Sequence, residues 1–452
     1  MANVSMKISV TRLLPLTLCL IGASTGTAQN YFEGFVTNII SPKEFDVGER
    51  HVQCDAKTKW DRPSHLPDPL AALRVGMLLR VDGGYRNGAY FARTIHIAPH
   101  KVKIEADLAG RALIQQPPML KDTELGLAGT LWVDGYPLQV VPHTVLLSVD
   151  GGAVRLEKIT TNVWADYEAR RGDDGLIFAT KITFEPNHID GDEKDLRDKS
   201  EPEIIPADPV HHKAGQLKFG AHIPVKWDLI PDQDVQDYVT KVGMSLVPQY
   251  QKDLPATDPT KINFRFYAVK VPSGWIGNME DSFDQPNGIV LVPDTVLGTL
   301  ENEAQFASWL AMSIANIIEK NYYQHHNRLH GVKYAKLIGS GLSFVPAIPR
   351  TGMLAGVIYD KLPYELFERS SRIALTYLLA QGYDIRQVPF TPRIVAGLEV
   401  TNPVAPDTEV PPDVADTMEE LQLDYANTNY AGLKQNREAF AIIKGKVAAV
   451  HQ

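Results

Sequence analysis

The sequence is poor in cysteine, since only Cys19 and Cys54 occur in 452 residues. It also lacks an excess of basic residues: 45 Lys and Arg stand against 54 Asp and Glu, for a net charge of -9. A protein of this charge has no general attraction for nucleic-acid phosphates, so we predict no nucleic-acid partner. Beyond the N-terminal region, no uncharged run reaches the ~20 residues that a membrane-spanning helix needs. We therefore predict no integral membrane span, while the oligomeric state stays open.

The N-terminus has the order of a secretory signal peptide. Lys7 and Arg12 precede an apolar run from Leu13 to Ala23, and small residues follow before Gln29. Positive charge, a short apolar core and a small-residue cleavage site are typical of exported proteins. We therefore predict that residues 1–28 are a signal peptide.

Export has two further consequences. The mature protein is expected in the periplasm or outside the cell, whether translation starts at Met1 or Met6. Only Cys54 remains after cleavage, which excludes an intrachain disulfide.

The first third of the chain reads as β-strands, because short β-branched or alternating runs are separated by Gly- and Asn-rich turn signals. An internal repeat lies within it. The segment Gly88–Ile97 aligns without gaps on Gly175–Phe184, both as Gly-x-x-Phe-Ala-x-x-Ile-x-apolar. Thr58 and Thr144 lie at nearly the same distance ahead of the two segments. The repeat predicts two copies of one β module.

Both copies, at 31–99 and 107–186, resemble the small OB-like β-barrel modules of exported bacterial proteins. In the first copy Phe32–Val36 and Val75–Val81 carry the resemblance, and the second copy has an apparent insertion around Gln115–Leu125. OB folds often bind ligands on a barrel face, so ligand or partner binding is one function of these modules. A spacer or docking platform is the other, because neither copy has the clustered aromatic and basic residues of single-strand binding.

A polar linker is expected at 187–214, where acidic residues and prolines replace apolar periodicity. His211 and His212 lie within it, and we expect them to be solvated rather than bound to metal.

The character changes to α+β from Gln216. Apolar spacing predicts a helix over Asp232–Leu246, and β-branched runs predict strands at Ile262–Val269 and Gly288–Val292. Two further helices are predicted, at 300–323 and 364–382.

This order of elements resembles the HtpX/BepA-type gluzincin metallopeptidases. Four segments between Ile223 and Pro389 carry the resemblance: Phe264–Val269, Pro286–Val292, Leu300–Ala304 and Gln381–Asp384. The resemblance implies an α+β metallopeptidase-like domain over 216–452. Together with the two β modules, it makes the chain a multidomain protein.

In active members of that family, His-Glu-x-x-His binds zinc and supplies the catalytic base, and a later glutamate completes the ligand set. The corresponding positions here are Met312 and Asn316 for the histidines, Ser313 for the base and Arg369 for the third ligand. A thioether and a carboxamide are poor zinc ligands, and a permanent cation repels the metal. The resemblance thus implies a pseudopeptidase without zinc.

Such a domain is expected to bind a polypeptide or an envelope protein rather than cleave it. In the resembling enzymes an edge strand pairs with extended substrate, and this pairing needs no metal. The predicted peptide-binding residues are Asn287, Gly288, Ile289, Val290 and Leu291. We also expect Arg369 to pair with an acidic side chain such as Glu303 or Glu319.

Two other functions remain open at the level of sequence. An active zinc metalloendopeptidase with a non-standard ligand set could draw on His325, His326 or His330, although solvated histidines are the simpler interpretation. A structural envelope protein is the third possibility. The sequence therefore leaves open whether the protein is an enzyme.

Overall fold

The computed structural model describes residues 31–47, 50–61, 73, 78–86, 89–97, 107–172, 176–220, 225–271, 283–324, 364–387 and 432–450. The predicted signal peptide lies outside these residues, as do His325, His326 and His330.

The first sheet is formed by residues 31–97 and has its own core. Its strands are β1 (Tyr31–Ser41), β2 (Glu44–Val47), β3 (Arg50–Gln53), β4 (Lys59–Asp61), β5 (Leu78–Arg86) and β6 (Ala89–Ile97). They lie in the order β3-β2-β1-β5-β6-β4, and β3 also pairs in parallel with β6 through Val52 and Gln53. Phe45, Leu79 and Ile95 are fully buried in a core separate from the rest of the described chain.

The second sheet covers residues 107–186. Its strands are β7 (Asp107–Leu113), β8 (Met119–Thr123), β9 (Gly126–Val133), β10 (Tyr136–Val140), β11 (Val145–Ser148), β12 (Val163–Arg171) and β13 (Ile177–Pro186). Their order is β7-β12-β13-β10-β9-β8, with β11 paired to β13. The expected insertion around 115–125 contains β8, which forms a hairpin with β9. The N-terminal region of the protein is thus all-β.

The two sheets share most of their strand pairing. Parallel pairing of β3 and β4 with β6 recurs as parallel pairing of β10 and β11 with β13. Thr58 and Thr144 also make the same bond, since each hydroxyl donates to a carbonyl oxygen, of Ala92 and Ala179 respectively, over 2.8 Å. Both hydroxyls in turn accept a backbone N–H three residues earlier, over 3.0 Å. The sequence repeat is therefore also a repeat of strand pairing.

The C-terminal part combines a third sheet with helices. Its strands are β14 (Glu203–Ile205), β15 (Gln216–Phe219), β16 (Val225–Leu229), β17 (Arg265–Lys270) and β18 (Ile289–Pro293), in that order. The helices are α1 (Gly191–Lys199), α2 (Gln233–Leu246), α3 (Gln249–Asp253), α4 (Asp294–Thr299), α5 (Glu303–Ile318), α6 (Tyr364–Ala380) and α7 (Arg437–Ala449). β17 and β18 are parallel, and the other neighbouring pairs are antiparallel.

Local sequence explains where several helices begin and end. The side chain of Asp232 accepts the N–H of Val235 and caps α2, and that of Asn302 accepts the N–H of Gln305 and caps α5. Gly382, at φ +72°, follows the end of α6 in the left-handed conformation that glycine adopts without strain. The predicted helices at 232–246 and 364–382 are confirmed within one or two residues.

The segment 187–214 differs from the expected solvated linker. It contains α1 and β14, and Glu193 on α1 is buried in an ion pair with Lys320 over 2.8 Å. Asp190 caps α1 by accepting the N–H of Glu193. Composition alone did not predict α1 and β14, because Lys320, the ion-pair partner of Glu193, lies 127 residues away in the sequence. Within the segment, His211 is exposed and bonded to Asp208, as expected of a solvated residue.

The second sheet and the C-terminal part share one hydrophobic core, which runs from Ala112 through α5 and α6 to Val447. The β9–β10 turn contacts α6, where Arg372 forms an ion pair with Asp134 over 2.9 Å. Among the described residues, no helix is both long and apolar enough to cross a membrane.

Candidate functional site

Three of the four positions that the resemblance singled out lie close together where α5 packs against α6. Ser313 and Asn316 lie on the buried face of α5, and Arg369 lies on α6. With Asp284, Asn321 and Ser370 they form a group that we call the polar cluster. Tertiary structure thus joins three of the four residues singled out from the sequence.

Asp284 is one centre of the polar cluster. It is 3% exposed, and its Oδ2 accepts the amide Nδ2 of Asn316 over 2.8 Å. Burial raises the pKa of Asp284 to about 6, while hydrogen bonds from Asn316 and Ser313 act to lower it. Ser313 therefore serves as a hydrogen-bond donor to a buried carboxylate.

Asn316 uses both atoms of its amide inside the cluster. Its Nδ2 donates to Asp284, and its Oδ1 accepts Nδ2 of Asn321 over 2.9 Å and the hydroxyl of Ser370. All four residues are at most 8% exposed. A buried polar group with every atom bonded is held in one orientation, so Asn316 is a structural link between α5 and α6.

Arg369 connects the polar cluster to the second β sheet. Its Nη1 donates to the carbonyl oxygen of Arg111 over 2.9 Å, and its Nη2 donates to Oδ1 of Asn321 and to Oε1 of Gln324. These partners are neutral oxygens. The guanidinium therefore binds β7 and the end of α5 together.

Glu319 is the second buried carboxyl group at this junction. It is fully buried, and its two oxygens each accept the backbone N–H of Leu113 over 3.2 Å. Oε1 also accepts Nε2 of Gln115. Burial raises the pKa of Glu319 to about 7, and the nearby charge of Arg369 acts in the opposite direction.

The expected pairing of Arg369 with an acidic residue is therefore only partly met. Arg369 influences Glu319 electrostatically, but its side chain donates hydrogen bonds to the neutral oxygens of Arg111, Asn321 and Gln324. Glu303 is engaged elsewhere, since it accepts the hydroxyls of Tyr238 and Tyr383 over 2.7 and 2.8 Å. The expected pairing of Arg369 with Glu303 is wrong. Glu303 is the first residue of α5, whereas Glu319, which lies near Arg369, follows the last residue of that helix.

The residues at the ligand positions do not fit a zinc ion. Met312 is partly buried and packs against the hydrophobic core, and both amide atoms of Asn316 are already bonded to protein. Arg369 brings a permanent cation to the position of an anionic ligand. In the part of the chain that the structure describes, no three His, Cys, Asp or Glu side chains form a group that could hold a metal.

The predicted peptide-binding edge is occupied by the protein itself. Leu291 N–H donates to the carbonyl of Phe283 over 2.8 Å, and Gln285 N–H donates to the carbonyl of Ile289 over 2.7 Å. Val290 is fully buried, and Gly288 accepts Arg265 N–H on the side of β17. A peptide could add to this edge only by displacing residues 283–285.

Asn287 also has a role within the fold. Its Nδ2 donates to Glu201 over 2.8 Å, and Glu201 forms a bidentate ion pair with Arg265 over 2.6 Å. Peptide binding by residues 287–291 thus stays a prediction. In the fold, Asn287 donates to Glu201, and the backbone of Ile289 and Leu291 bonds to residues 283–285.

Sequence reasoning missed Asp284, Asn321 and Ser370. Two of them carried a signal. Lys320 and Asn321 stand where the resembling family often has Arg and His, and Ser370 follows Arg369 in the segment that corresponds to the family's third ligand. Asp284 and Ser370 join the polar cluster through contacts 32 and 54 residues from Asn316, which no local pattern encodes.

Comparison with known families finds a match over part of the chain. Residues 33–96 match a family model described as a domain of unknown function, DUF5666. The matched segment lies within the first sheet and does not extend to the second sheet or to the C-terminal part. A comparison with curated proteins gave no match.

Proposed function

We propose that the protein is an exported pseudopeptidase, which binds a polypeptide or an envelope protein on a metallopeptidase-like domain without hydrolysing it. The observation that carries the proposal is the polar cluster. The resemblance assigns Ser313, Asn316 and Arg369 to a base and two zinc ligands. In the fold, these side chains form hydrogen bonds with other protein groups, among them Asp284 and Asn321.

The arrangement supports loss of peptidase chemistry for a physical reason. A metallopeptidase needs an anionic or imidazole ligand set and a carboxylate base beside an open coordination position. Here the second histidine position is an amide with both atoms bonded, and the third ligand position is a guanidinium that reaches the carbonyl of Arg111. Each change replaces metal binding with a contact that stabilises the fold.

We also propose that both β modules are OB-like. The shared parallel pairing of β3 with β6 and of β10 with β13 supports this. The second module supports the docking-platform role, because its core is continuous with that of α5 and α6. It would present or brace the peptidase-like domain and not act as a separate ligand-binding unit.

The test uses the chain from Gln29 onward and fluorescein-labelled, denatured casein. We expect a rise in fluorescence anisotropy that reports binding, and no release of labelled fragments with added zinc or with EDTA. The control is casein with a known metallopeptidase, which must release fragments that EDTA suppresses.

Two outcomes would overturn the proposal. EDTA-sensitive cleavage, together with stoichiometric zinc that is lost on mutating His326 and His330, would establish an active metalloendopeptidase with a different ligand set. Neither binding nor cleavage, for casein or for isolated envelope proteins, would favour a structural envelope protein.

A further inference from the structure

Two histidines of the first β module each lie between two carboxyl groups, and His51 is the first of them. Its Nδ1 is 2.9 Å from Oδ1 of Asp46, and its Nε2 is 3.0 Å from Oε1 of Glu44. An ionised carboxyl group can only accept, so both ring nitrogens must donate to complete these bonds, and only the imidazolium has two N–H groups. The arrangement therefore fits protonated His51, which joins β3 to two positions of β2.

His96 has the same geometry across three strands. On β6, its Nδ1 is 2.9 Å from Oδ2 of Asp61 on β4, and its Nε2 is 3.0 Å from Oδ2 of Asp82 on β5. β4 has only three residues, and among the described strands it pairs with β6 alone. Asp82 also bonds to Nε of Arg80 over 3.2 Å, whereas Asp61 has no other ion-pair partner in the described part of the chain. The imidazolium of His96 thus holds a short edge strand on the sheet.

The other polar groups around the two sites are few. At the first site, Asn38 and Gln53 donate neutral hydrogen bonds to the same two carboxyl groups over 3.0 and 3.4 Å, and the Gln53 amide also lies 3.4 Å from Nε2 of His51. At the second site, Arg80 lies over the ring of Tyr31 at 3.7 Å. The remaining charged side chains described on the strands of this module are basic: Arg50, Lys59, Arg86 and Arg93. Loss of the imidazolium proton leaves one N–H for two carboxyl groups at each site.

The charge of His51 changes near neutral pH. Burial lowers the pKa of His51, but the hydrogen bonds and negative charges of Asp46 and Glu44 outweigh burial and raise this pKa above its ordinary value. In the unfolded chain an imidazole changes charge near pH ~6.5. The contribution of His51 to stability is therefore fully present below that pH, and it is lost as pH rises through the higher pKa of the folded state.

The second β module has neither histidine. The sequence repeat aligns His96 with Thr183. Strand pairing places Pro137 where the first module has His51, since each precedes the residue that opens the parallel pairing with the last strand of its module. Threonine and proline do not change charge near neutral pH. The dependence on protonation is thus confined to one copy of the repeat.

We propose that the first β module contains a proton-dependent clamp, in which the imidazolium rings of His51 and His96 hold the β2–β3 hairpin and the edge strand β4 in place. As pH rises, each ring loses one proton to solvent and keeps one N–H, so one carboxyl group at each site loses its donor. Trp60 of β4 packs against the core of the module, so loosening of β4 lowers the stability of the whole module. The clamp goes beyond the proposed peptide binding and does not depend on it.

The test is thermal unfolding of the full mature chain, from Gln29 onward, at several values between about pH 5.5 and pH 8.5. The first β module has a core of its own and should unfold in its own calorimetric transition. We expect the midpoint of this transition to fall by about 4–8 °C over the range, which is the shift that two partly exposed ion-pair sites together cause in a domain of this size.

The central variant combines His51→Gln and His96→Gln. Glutamine keeps one donor at each site but cannot change charge, so the fall of the midpoint should largely disappear in the double variant and shrink in each single variant. The matched control is His143→Gln, at an exposed histidine of the second module, which should keep the wild-type fall. An equal fall in the double variant and the wild type would overturn the proposal, as would a wild-type midpoint that does not fall.

A second measurement keeps the clamp testable if the double variant does not fold. In protein labelled with ¹⁵N in the histidine rings, each single variant identifies the NMR signals of the residue that it removes. We expect both nitrogens of His51 to carry protons up to a titration midpoint above pH ~6.5, and one proton to be lost over the range in which the transition falls. A midpoint at or below pH ~6.5 would overturn the clamp at His51, whatever the unfolding of the variants shows.

Discussion

At the scale of single residues, the buried carboxyl groups show how the protein stabilises the junction of α5, α6 and β7. Asp284 and Glu319 are almost inaccessible to water, and each is surrounded by hydrogen-bond donors. Burial raises both pKa values, to about 6 and about 7, because the donors only partly replace the lost hydration. The site is therefore sensitive to pH near neutrality.

Glu319→Gln should make stability less dependent on pH. In the folded protein Glu319 keeps its proton up to about pH 7, whereas in the unfolded chain it loses the proton near pH ~4.3. The folded state therefore binds more protons between these values, and the free energy of unfolding falls as pH rises through this window. For one such carboxyl group the fall is at most about 4 kcal/mol.

The measurement is urea unfolding followed by tryptophan fluorescence at several values between pH 5 and pH 8. We expect a shallower decline for Glu319→Gln than for the wild type, with the remaining decline due in part to Asp284. Glu157→Gln, an exposed residue of the second module, is the control and should follow the wild type. An unchanged decline in Glu319→Gln would show that this carboxyl group does not carry the effect.

At the scale of elements, the β9–β10 hairpin is fitted to helix α6. Asp134 and Gly135 form its two-residue turn with φ +56° and +76°, the conformation that an Asp-Gly turn favours. Asp134 accepts Arg372 of α6, and Gly135 lies against the backbone of the same residue. A turn that in sequence looks like an ordinary hairpin signal is thus an interdomain contact.

Gly135→Ala should destabilise the protein more than Gly151→Ala. Both glycines have positive φ, at +76° and +83°, so both substitutions carry the left-handed penalty of roughly 1–2 kcal/mol. Only at Gly135 would the new Cβ come within 2.7 Å of the Arg372 backbone, whereas nothing lies within 4 Å at Gly151. We expect an additional loss of about 1–3 kcal/mol for Gly135→Ala, from displacement of the hairpin or helix. Equal losses in chemical denaturation would refute the close contact.

At the scale of the whole molecule, the repeat groups the two β modules together, whereas the hydrophobic cores separate them. The two β modules share most of their strand pairing, yet the first has its own core and the second shares one with the C-terminal part. Cooperative unfolding follows shared burial. The boundary that matters for stability is therefore the one between the modules.

Calorimetry should accordingly show a small transition for residues 31–97 and a larger one for the remainder. Thr58→Val and Thr144→Val remove equivalent hydroxyls, each worth about 1 kcal/mol. We expect Thr58→Val to lower the midpoint of the small transition only, and Thr144→Val that of the large transition only. A single transition that both variants shift equally would contradict the division.

Part of this organisation could be read from the sequence. The Asp232–Leu246 periodicity, the strand at 288–292 and the Gly382 stop each depend on neighbours in the chain, and each matches an observed element. The repeat likewise located equivalent threonines. Local backbone preference and apolar spacing act over a few residues, so they leave a signal that a single sequence displays.

The contacts that define the site depended on tertiary structure. Leu113 reaches Glu319 across 206 residues, and Arg369 reaches the carbonyl of Arg111 across 258. The covering of β18 by Phe283 and the order of the segment 187–214 arise in the same way. The sequence determined the chemical character of Ser313, Asn316 and Arg369. Only the fold decided that these side chains bond to Asp284 and to the carbonyl of Arg111 in the second β module. The physical reason is that a buried polar group bonds to whatever lies near it in space, however far apart the two are in the chain.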